Sequence, residues 1–172
     1  MSVICPFTII RDTREQVPWS FDGMPGKGEN VVTIPLEFAT LKAGDYSIKG
    51  YEDRVAIERK SLEDLYGTLG GGRDRFEREM VMLNKMEFAA VVAEAGWLEI
   101  CAPQDCVPQW RSRLSPRSAF GTILAWQQTR PVKVDKPRTC FPNVHWVTAG
   151  SRRMAEVIAF YMLERFWVDR NE

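Results

Sequence analysis

The sequence predicts an α/β domain whose central mixed sheet is flanked by helices. Some short segments are apolar throughout or alternate between apolar and polar residues, and these suit strands. Between them lie segments in which apolar residues recur at helical spacing. The chain has 172 residues, of which 45% are hydrophobic and 27% charged, and this is enough to bury a core. Alternating strands and helices are typical of a largely buried central sheet. We expect residues 1–172 to form a single domain.

Six segments have the composition of strands, and a Pro- and Gly-rich loop at residues 16–30 separates the first two. The polar stretch between the third and fourth segments is long enough to fold back as a hairpin, which predicts antiparallel pairing of these two strands. The six segments are residues 3–10, 31–41, 45–48, 55–60, 88–93 and 144–147.

Helices are predicted after the fourth, fifth and sixth strands. The first helix has apolar residues at helical spacing and stops at three glycines, and its apolar positions are Leu62, Leu65, Tyr66 and Leu69. A second helix follows, with Asp74 and Glu77 in capping positions and a core face of Phe76, Met80 and Leu83. Ser115 begins a third helix, which points Phe120, Ile123 and Leu124 inward, and Ser151 caps the last one.

Three side chains on the hairpin strands have the chemistry of phosphodiester hydrolysis. Period two places Glu58 and Lys60 on one face of their strand, roughly 7 Å apart. Antiparallel pairing brings Asp45 near Glu58. A divalent cation held against a scissile phosphate needs hard oxygen ligands, and a nearby Lys can steer water or offset phosphate charge. We interpret Asp45 and Glu58 as ligands of Mg²⁺ or Mn²⁺, and Lys60 as their catalytic partner.

Each of these residues also has a simpler interpretation. An acid and a base two residues apart on a strand often mark only a solvated face. Asp64 follows Ser61 at the spacing of a capping box, so its carboxylate would cap a helix, serve the metal site, or do both.

The candidate residues belong to a longer ordered pattern. Gly44-Asp45 followed by Glu58-Arg59-Lys60 and Asp64 resembles the signature of the XPF/Hef-type structure-specific endonuclease domain. Asp12-Thr13-Arg14-Glu15 is similar to the Asp-x-Arg-Glu element at the end of that family's first strand. Residues 61–73 are similar to the helix, glycine-rich turn and arginine that follow the signature. The motifs cover roughly the first half of the chain, and the second half resembles the family in its alternation of strands and helices.

The resemblance implies a restriction-endonuclease-like core with the metal site at one edge of the sheet. It implies a metal-dependent DNA endonuclease that is selective for branched DNA in repair, recombination or replication. Asp12 and Asp64 would be outer carboxylates. Four further residues would position phosphates or brace the carboxylates, namely Arg14, Glu15, Arg59 and Arg73. Family members often add a helicase domain and tandem helix-hairpin-helix repeats, and we expect a nuclease module without either.

A band of basic residues in the second half is a candidate DNA-binding surface. The whole chain is balanced, with 23 basic and 23 acidic residues, but residues 111–138 hold seven basic residues against one acid. Docking of a phosphate backbone requires such a surface beside an acidic metal cleft. A solvated face with scattered charges is the alternative interpretation. The seven are Arg111, Arg113, Arg117, Arg130, Lys133, Lys136 and Arg138.

Several classes of protein are excluded at this stage. The four cysteines lack a CxxC spacing and there is one histidine, so we expect no structural zinc site. There is no signal-peptide pattern at the N-terminus and no run of about 18 apolar residues. We therefore expect a soluble cytoplasmic protein, nuclear in a eukaryote, that has reduced thiols and no membrane contact.

The last helix has a wider apolar surface than one face needs. It is either a thoroughly buried core helix or a subunit interface, and the resemblance favours a homodimer because nuclease domains of that family usually pair. Two functions compete with an endonuclease. One is a non-catalytic DNA-binding partner subunit, and the other is a metal-independent interaction module built on salt bridges. The apolar positions are Met154, Val157, Ile158, Phe160, Tyr161, Leu163, Phe166 and Trp167.

Overall fold

The computed structural model describes residues 2–128 and 139–171. Within them, the strands are β1 (Ser2–Ile4), β2 (Ile9–Asp12), β3 (Met24–Pro25), β4 (Val31–Thr33), β5 (Leu36–Ala39), β6 (Tyr46–Ile48), β7 (Val55–Lys60), β8 (Phe88–Ala93) and β9 (Val144–Thr148). The helices are α1 (Leu62–Leu69), α2 (Arg73–Leu83), α3 (Trp97–Cys101), α4 (Pro103–Cys106), α5 (Pro116–Trp126) and α6 (Arg152–Asn171).

A six-stranded mixed sheet in the order β5-β2-β6-β7-β8-β9 forms the centre of the molecule. β6 is antiparallel to both β2 and β7, whereas β2–β5, β7–β8 and β8–β9 are parallel pairs. A small second sheet has the order β1-β4-β3. The predicted α/β class with a central mixed sheet flanked by helices is therefore confirmed, and so is the antiparallel hairpin of β6 and β7.

Two apolar cores lie on the opposite faces of the sheet. Helices α1, α2 and α5 cover one face, where Ala56 of β7 is buried. α6 covers the other face together with residues of the Pro- and Gly-rich loop, and there Val55 and Ile57 are buried. The alternation along β7 follows the predicted period of two. Glu58 and Lys60 therefore extend toward the α1–α2 side of the sheet, and Arg59 toward the α6 side.

Two predicted strands are each split in the structure. Residues 3–10 form parts of β1 and β2, which belong to different sheets, and residues 31–41 form β4 and β5 in the same way. Both breaks contain a proline, Pro6 and Pro35. Proline lacks the backbone N–H that a continuous ladder needs, and this accounts for the change of sheet. The predicted loop of residues 16–30 also contains the two-residue strand β3.

The four predicted helices are present as α1, α2, α5 and α6, but two details of the predictions are wrong. α1 ends at Gly70, and Ser115 and Ser151 cap α5 and α6 through their hydroxyls as predicted. The predicted capping of α2 is wrong, because its N-cap is Gly72 and no side chain bonds there. Leu124 is also wrongly placed in the core, since it is exposed on α5, whereas Ile123 is buried.

α6 uses much of its wide apolar surface inside the chain. Phe160 is fully buried, and Trp167 stacks on Phe7 with 5.8 Å between ring centroids. The interpretation of Phe160 as part of a subunit interface is therefore wrong, because the side chain packs in the core under the sheet. Met154 and Tyr161 remain exposed on this helix.

No helix within residues 2–128 and 139–171 combines the length and the apolar character that a bilayer crossing requires.

We predict that Gly44→Ala destabilises the fold more than Gly50→Ala does. Both glycines have left-handed backbone, with φ of 78° and 84°, which costs other residues about 1–2 kcal/mol. A Cβ at Gly44 would also lie 2.9 Å from Ala56 Cβ and 3.2 Å from Ile57 O, whereas one at Gly50 meets nothing within 4 Å. Crowding of this kind adds about 1–3 kcal/mol. Urea unfolding measures both free energies, and equal losses would contradict the role given to the Gly44 contact.

Candidate active site

The turn into β6 places Asp45 against β7. The backbone N–H of Asp45 donates to Ile57 O at 2.8 Å, and the N–H of Arg59 donates to Asp45 Oδ2 at 2.7 Å. Gly44 makes this approach feasible because it has no Cβ to collide with Ala56. The carboxylate of Asp45 is thereby held at the level of Glu58, as the hairpin predicted.

Glu58 and Lys60 are buried side by side on β7. Lys60 Nζ donates to Glu58 Oε1, and the two residues are 9% and 2% exposed. The other carboxylate oxygen, Glu58 Oε2, is buried and has no hydrogen-bond partner among the described residues. Lys60 also lies over the ring of Phe76, with Nζ 4.9 Å from the centroid. One acceptor of the buried pair is thus left without a donor.

Burial and neighbouring charges alter the pKa values of Asp45, Glu58 and Lys60. Burial raises the pKa of Glu58 well above its usual range, and the charge of Asp45 adds to the effect. Burial likewise raises the pKa of Asp45 to about 7, although Lys60 and the Arg59 amide act in the opposite direction. The pKa of Lys60 is raised because Glu58 outweighs the cost of burial. Both carboxylates therefore favour an additional positive charge nearby.

Asp12 and Arg14 form a second ion pair at the end of β2. Arg14 Nε and Nη2 donate to the two oxygens of Asp12 at 2.8 and 2.9 Å. Asp12 is buried and also accepts from the backbone N–H groups of Arg14 and Leu41. Burial raises the pKa of Asp12, but these bonds outweigh it and leave the pKa lowered. Arg14 is mostly exposed, which leaves its guanidinium accessible at the pocket.

A pocket of about 460 Å³ brings these groups together at one end of the central strands. Of the predicted site residues, those that line it are Asp12, Arg14, Glu15, Asp45, Glu58 and Lys60. Glu15 Oε1 also accepts from the Val17 amide at 2.7 Å. The structure therefore joins the Asp-x-Arg-Glu element to the hairpin residues in a single cavity.

The sequence analysis missed the far wall of this pocket, which α2 provides. Arg75, Arg78, Glu79 and Met82 line it at helical spacing, beside the core face that the sequence did reveal. These four residues follow the same helical spacing as the core face, displaced by one position along the chain. The sequence did not single them out as pocket residues, because charged helix positions are usually solvated. Lys42 lines the pocket as well. Glu79 Oε1 accepts from the Gly44 amide at 3.4 Å, so α2 contacts the turn that carries Asp45.

Arg59 does not line the pocket. Its side chain lies on the α6 side of the sheet, where it donates to both oxygens of Glu94 at 2.8 and 3.1 Å. Glu94 also accepts from Trp19 Nε1 and from Arg152 of α6. Arg59 Nη1 is 3.5 Å from Glu15, which reaches the network from the pocket side. The guanidinium of Arg59 thus braces the fold, and its amide holds Asp45.

Asp64 and Arg73 also lie away from the pocket lining. Ser61 Oγ donates to Asp64 Oδ2 at 2.7 Å and accepts from the Asp64 amide, so the capping interpretation describes this carboxylate. Its side chain is 57% exposed. Arg73 pairs with Glu77 at 2.8 Å, bonds Thr122 of α5 and lies over the Trp126 ring. It connects α2 to α5.

The basic band is described only in part. Arg111 and Arg113 are exposed on the loop before α5 and line another pocket beside the glycine-rich turn. Arg117 is exposed in the first turn of α5. The remaining four, Arg130, Lys133, Lys136 and Arg138, lie outside the described residues.

Five carboxylates line the pocket, and the two on the β6–β7 hairpin, Asp45 and Glu58, are the candidate ligands of a hard cation. Within residues 2–128 and 139–171, no cluster of three or more His, Cys, Asp or Glu side chains is arranged to hold a metal ion. A cation at Asp45 and Glu58 would therefore take its other ligands from water and from a phosphate, which is the usual arrangement for Mg²⁺.

The fold is shared with solved structures of XPF. No protein-family model matches the sequence, and no curated protein is similar to it. XPF from Aeropyrum pernix superposes with a TM-score of 0.56 at 18% identity, over 92% of this chain and 69% of that chain. XPF from Aeropyrum pernix in complex with DNA gives a TM-score of 0.56 at 18% identity, over 95% of this chain and 66% of that chain. This chain thus has an XPF-type fold, with the restriction-endonuclease-like core that the resemblance implied.

Proposed function

We propose that the chain is a divalent-metal-dependent DNA endonuclease that hydrolyses phosphodiester bonds and is selective for branched DNA. The observation that carries the proposal is the buried Glu58 Oε2, which has no hydrogen-bond partner within the described residues. An unpaired buried acceptor costs about 1–3 kcal/mol, and more when it is charged. A cation shared with Asp45 would remove this cost. The similarity to XPF bound to DNA supports DNA as the substrate.

The donors in the pocket fit Mg²⁺ or Mn²⁺. Both cations accept carboxylate oxygens, and Mg²⁺ is often held by one or two carboxylates with water and substrate phosphate. When bound, the cation would polarise the scissile phosphate and lower the pKa of a bound water. Asp45 and Glu58 would hold it, and the Arg59 amide would keep Asp45 in position.

Lys60 is assigned to the chemical step. Its ammonium group is buried at the pocket beside Glu58, where it would orient the attacking water or offset the charge that develops on the phosphate. Asp12 would serve as an outer carboxylate that fixes Arg14. Arg14, Arg75 and Arg78 line the same pocket and would contact the phosphates on either side of the cut.

The two competing functions make different demands on Asp45, Glu58 and Lys60. A purely structural salt bridge would explain Lys60 and Glu58 Oε1, but it gives no partner to Glu58 Oε2 and no reason to place Asp45 beside it. A non-catalytic DNA-binding subunit would not require the intact set of Asp45, Glu58 and Lys60. Metal-dependent hydrolysis uses all of these features, and we therefore prefer it.

Asp45→Asn and Glu58→Gln should each reduce cleavage by at least about 100-fold, since each removes an anionic ligand from a cation that has few protein ligands. The assay uses labelled flap, fork, junction, nicked and linear DNAs with Mg²⁺ or Mn²⁺. Calorimetric titration of Mn²⁺ without DNA measures the lost metal affinity directly.

Glu37→Gln is the matched control, because Glu37 is an exposed strand carboxylate that pairs with Lys49. It should leave both activity and metal binding intact. Folding of all variants is verified by thermal unfolding. Normal turnover by a folded Glu58→Gln protein, or no Mn²⁺ binding by the native protein, would refute the assignment.

The metal-free protein should lose stability as pH rises from about 5 to 8. The pKa of Asp45 is raised from 3.8 to about 7, so the folded state keeps a proton that the unfolded chain has released. The stabilisation is complete below the unfolded pKa and is lost as pH rises through the folded pKa. The charged groups that act on Asp45 are Lys60, Glu15 and Glu79, and Asp45 itself acts on Glu58.

Thermal unfolding in EDTA at several pH values tests this dependence. Mg²⁺ should restore the melting temperature at pH 8, because it replaces the lost proton as the partner of the carboxylates. Asp45→Asn cannot ionise and should make the profile less steep, leaving the dependence that comes from Glu58, whereas Glu37→Gln should leave the profile unchanged. A native protein that is more stable at pH 8 than at pH 5 in EDTA would contradict the prediction.

We further propose that the chain forms a homodimer, as the resemblance implied. The surface assigned to it is the groove between the edge strand β9 and α6, a cavity of about 720 Å³. Its apolar lining includes Phe88, Trp146, Ile158, Tyr161, Met162 and Phe166. A two-fold interface is self-complementary, and it would double the contacts that one chain makes with DNA.

Light scattering at micromolar concentration should give about twice the 19.7 kDa mass of one chain. Tyr161→Glu, at an exposed position of the groove, should reduce the mass to that of a folded monomer. Lys49→Glu, at an exposed position outside the groove, is the control. A native mass of one chain would exclude the dimer.

A further inference from the structure

A second, smaller pocket lies beside the glycine-rich turn between α1 and α2. It has a volume of about 280 Å³ and is bounded by α1, the turn and the loop that precedes α5. Trp110, Arg111 and Arg113 line it from the loop, and Glu63 of α1 is the acid in its lining. We refer to it as the Trp110 pocket. None of the groups assigned to the metal site belongs to it.

The glycines of this pocket differ in what the fold requires of them. A Cβ on Gly70 would lie 3.0 Å from Tyr66 O, and one on Gly72 would lie 3.3 Å from Gly67 O. Close packing therefore explains these two. Within residues 2–128 and 139–171, a Cβ on Gly67 or Gly71 would meet no atom within 4 Å, and neither residue has a left-handed backbone.

Gly67 in particular has no structural explanation. It stands inside α1, where glycine weakens a helix because it has the largest conformational entropy to lose. Both Gly67 and Gly71 line the Trp110 pocket, and a side chain at either position would extend into open space there. The absence of side chains at these two positions leaves bare backbone in the lining that also contains Trp110, Arg111 and Arg113.

The Trp110 side chain is held in a defined position. The Trp110 ring packs edge-to-face on Tyr66, with 4.8 Å between the centroids. Tyr66 is buried and donates its hydroxyl to Ile100 O at 2.6 Å. Trp110 itself is only partly buried. The indole is thus anchored on the core and retains a surface toward the pocket.

The pocket also has a net positive charge. Arg111 and Arg113 are exposed, and neither forms an ion pair with an acidic side chain in the part of the chain that the structure describes. Glu63 opposes only one of these two charges. Proteins that bind single-stranded nucleic acid combine these two features, an aromatic platform for bases and basic side chains for the phosphates.

We propose that the Trp110 pocket binds an unpaired nucleotide of a DNA strand. The base would lie against the Trp110 indole and the bare backbone of Gly67 and Gly71, and Arg111 and Arg113 would contact its phosphates. α1 connects this pocket to the metal site, because it begins two residues after Lys60, and Gly67 follows roughly 7.5 Å along the helix. The inference rests on the proposed nuclease function and supplies its preference for branched DNA.

The test measures binding without cleavage. The probes are a labelled oligothymidylate of about 12 nucleotides and a duplex of equal length, titrated in EDTA and followed by fluorescence anisotropy. Trp110→Ala and Gly67→Leu should each weaken oligothymidylate binding roughly 5- to 100-fold, the range of one lost stacking contact. Duplex binding should change less than about 2-fold.

Matched controls separate this effect from a change in the fold. Gly67→Leu should keep or raise the melting temperature, because leucine favours the helix. Gly121→Leu lies in α5, where a Cβ also meets nothing within 4 Å, and should leave binding unchanged. Replacing Arg111 and Arg113 by Gln should flatten the salt dependence of oligothymidylate binding, whereas Lys85→Gln, at an exposed position outside the pocket, should not.

Unchanged oligothymidylate affinity in folded Gly67→Leu would overturn the proposal, and so would no binding by the native protein. Equal losses on duplex and oligothymidylate would also overturn it, because the pocket would then be a general phosphate contact. If Trp110→Ala does not fold, Gly67→Leu decides the question. A native protein that binds as expected but cuts no DNA would refute the nuclease alone, and one that cuts DNA while the variants bind normally would refute the pocket alone.

Discussion

Strand β7 carries three consecutive charged residues through a buried sheet, and much of the structure depends on how their charges are satisfied. Glu58, Arg59 and Lys60 are all buried, and period two sends Arg59 to one face and the other two to the opposite face. Buried charges require partners, because the desolvation cost is otherwise far larger than the stability of a domain. The two faces meet this requirement in different ways.

On the α6 side the protein itself satisfies the charge. Glu94 accepts from Nε and Nη2 of Arg59 and also from Trp19 and Arg152, so one carboxylate connects the sheet, the N-terminal loop and α6. On the α2 side the protein brings Asp45 to Glu58 through the tight turn at Gly44, and Lys60 satisfies only one oxygen of Glu58. The first face is closed by internal bonds. On the second face Glu58 Oε2 has no hydrogen-bond partner among the described residues, which is why we assign this face to an external cation.

In the proposed function, α1 and its surroundings would link the metal site to recognition of the substrate. The helix begins immediately after Lys60 with the Ser61–Asp64 cap, and it ends at the glycine-rich turn beside Trp110 and the exposed arginines. A phosphate backbone contacts proteins mostly through charge and carries little sequence information there. The proposed selection of branched DNA would then come from a feature that duplex lacks, such as an unpaired base that is free to stack. The Trp110 pocket offers a surface for such a base.

Local pattern alone determined those features that depend on neighbours along the chain. Period two assigned the faces of β7, the polar link predicted its hairpin with β6, and helical spacing located α1, α2 and α5. Pro6 and Pro35 mark the breaks between β1 and β2 and between β4 and β5, but the apolar residues around each proline resemble one continuous strand. Tertiary structure alone decided which distant groups meet: Glu94 with Arg59, Glu79 with the Gly44 amide, and Phe160 with the core. These contacts depend on how helices pack across the sheet, and no periodicity in one segment encodes the position of a surface formed by another.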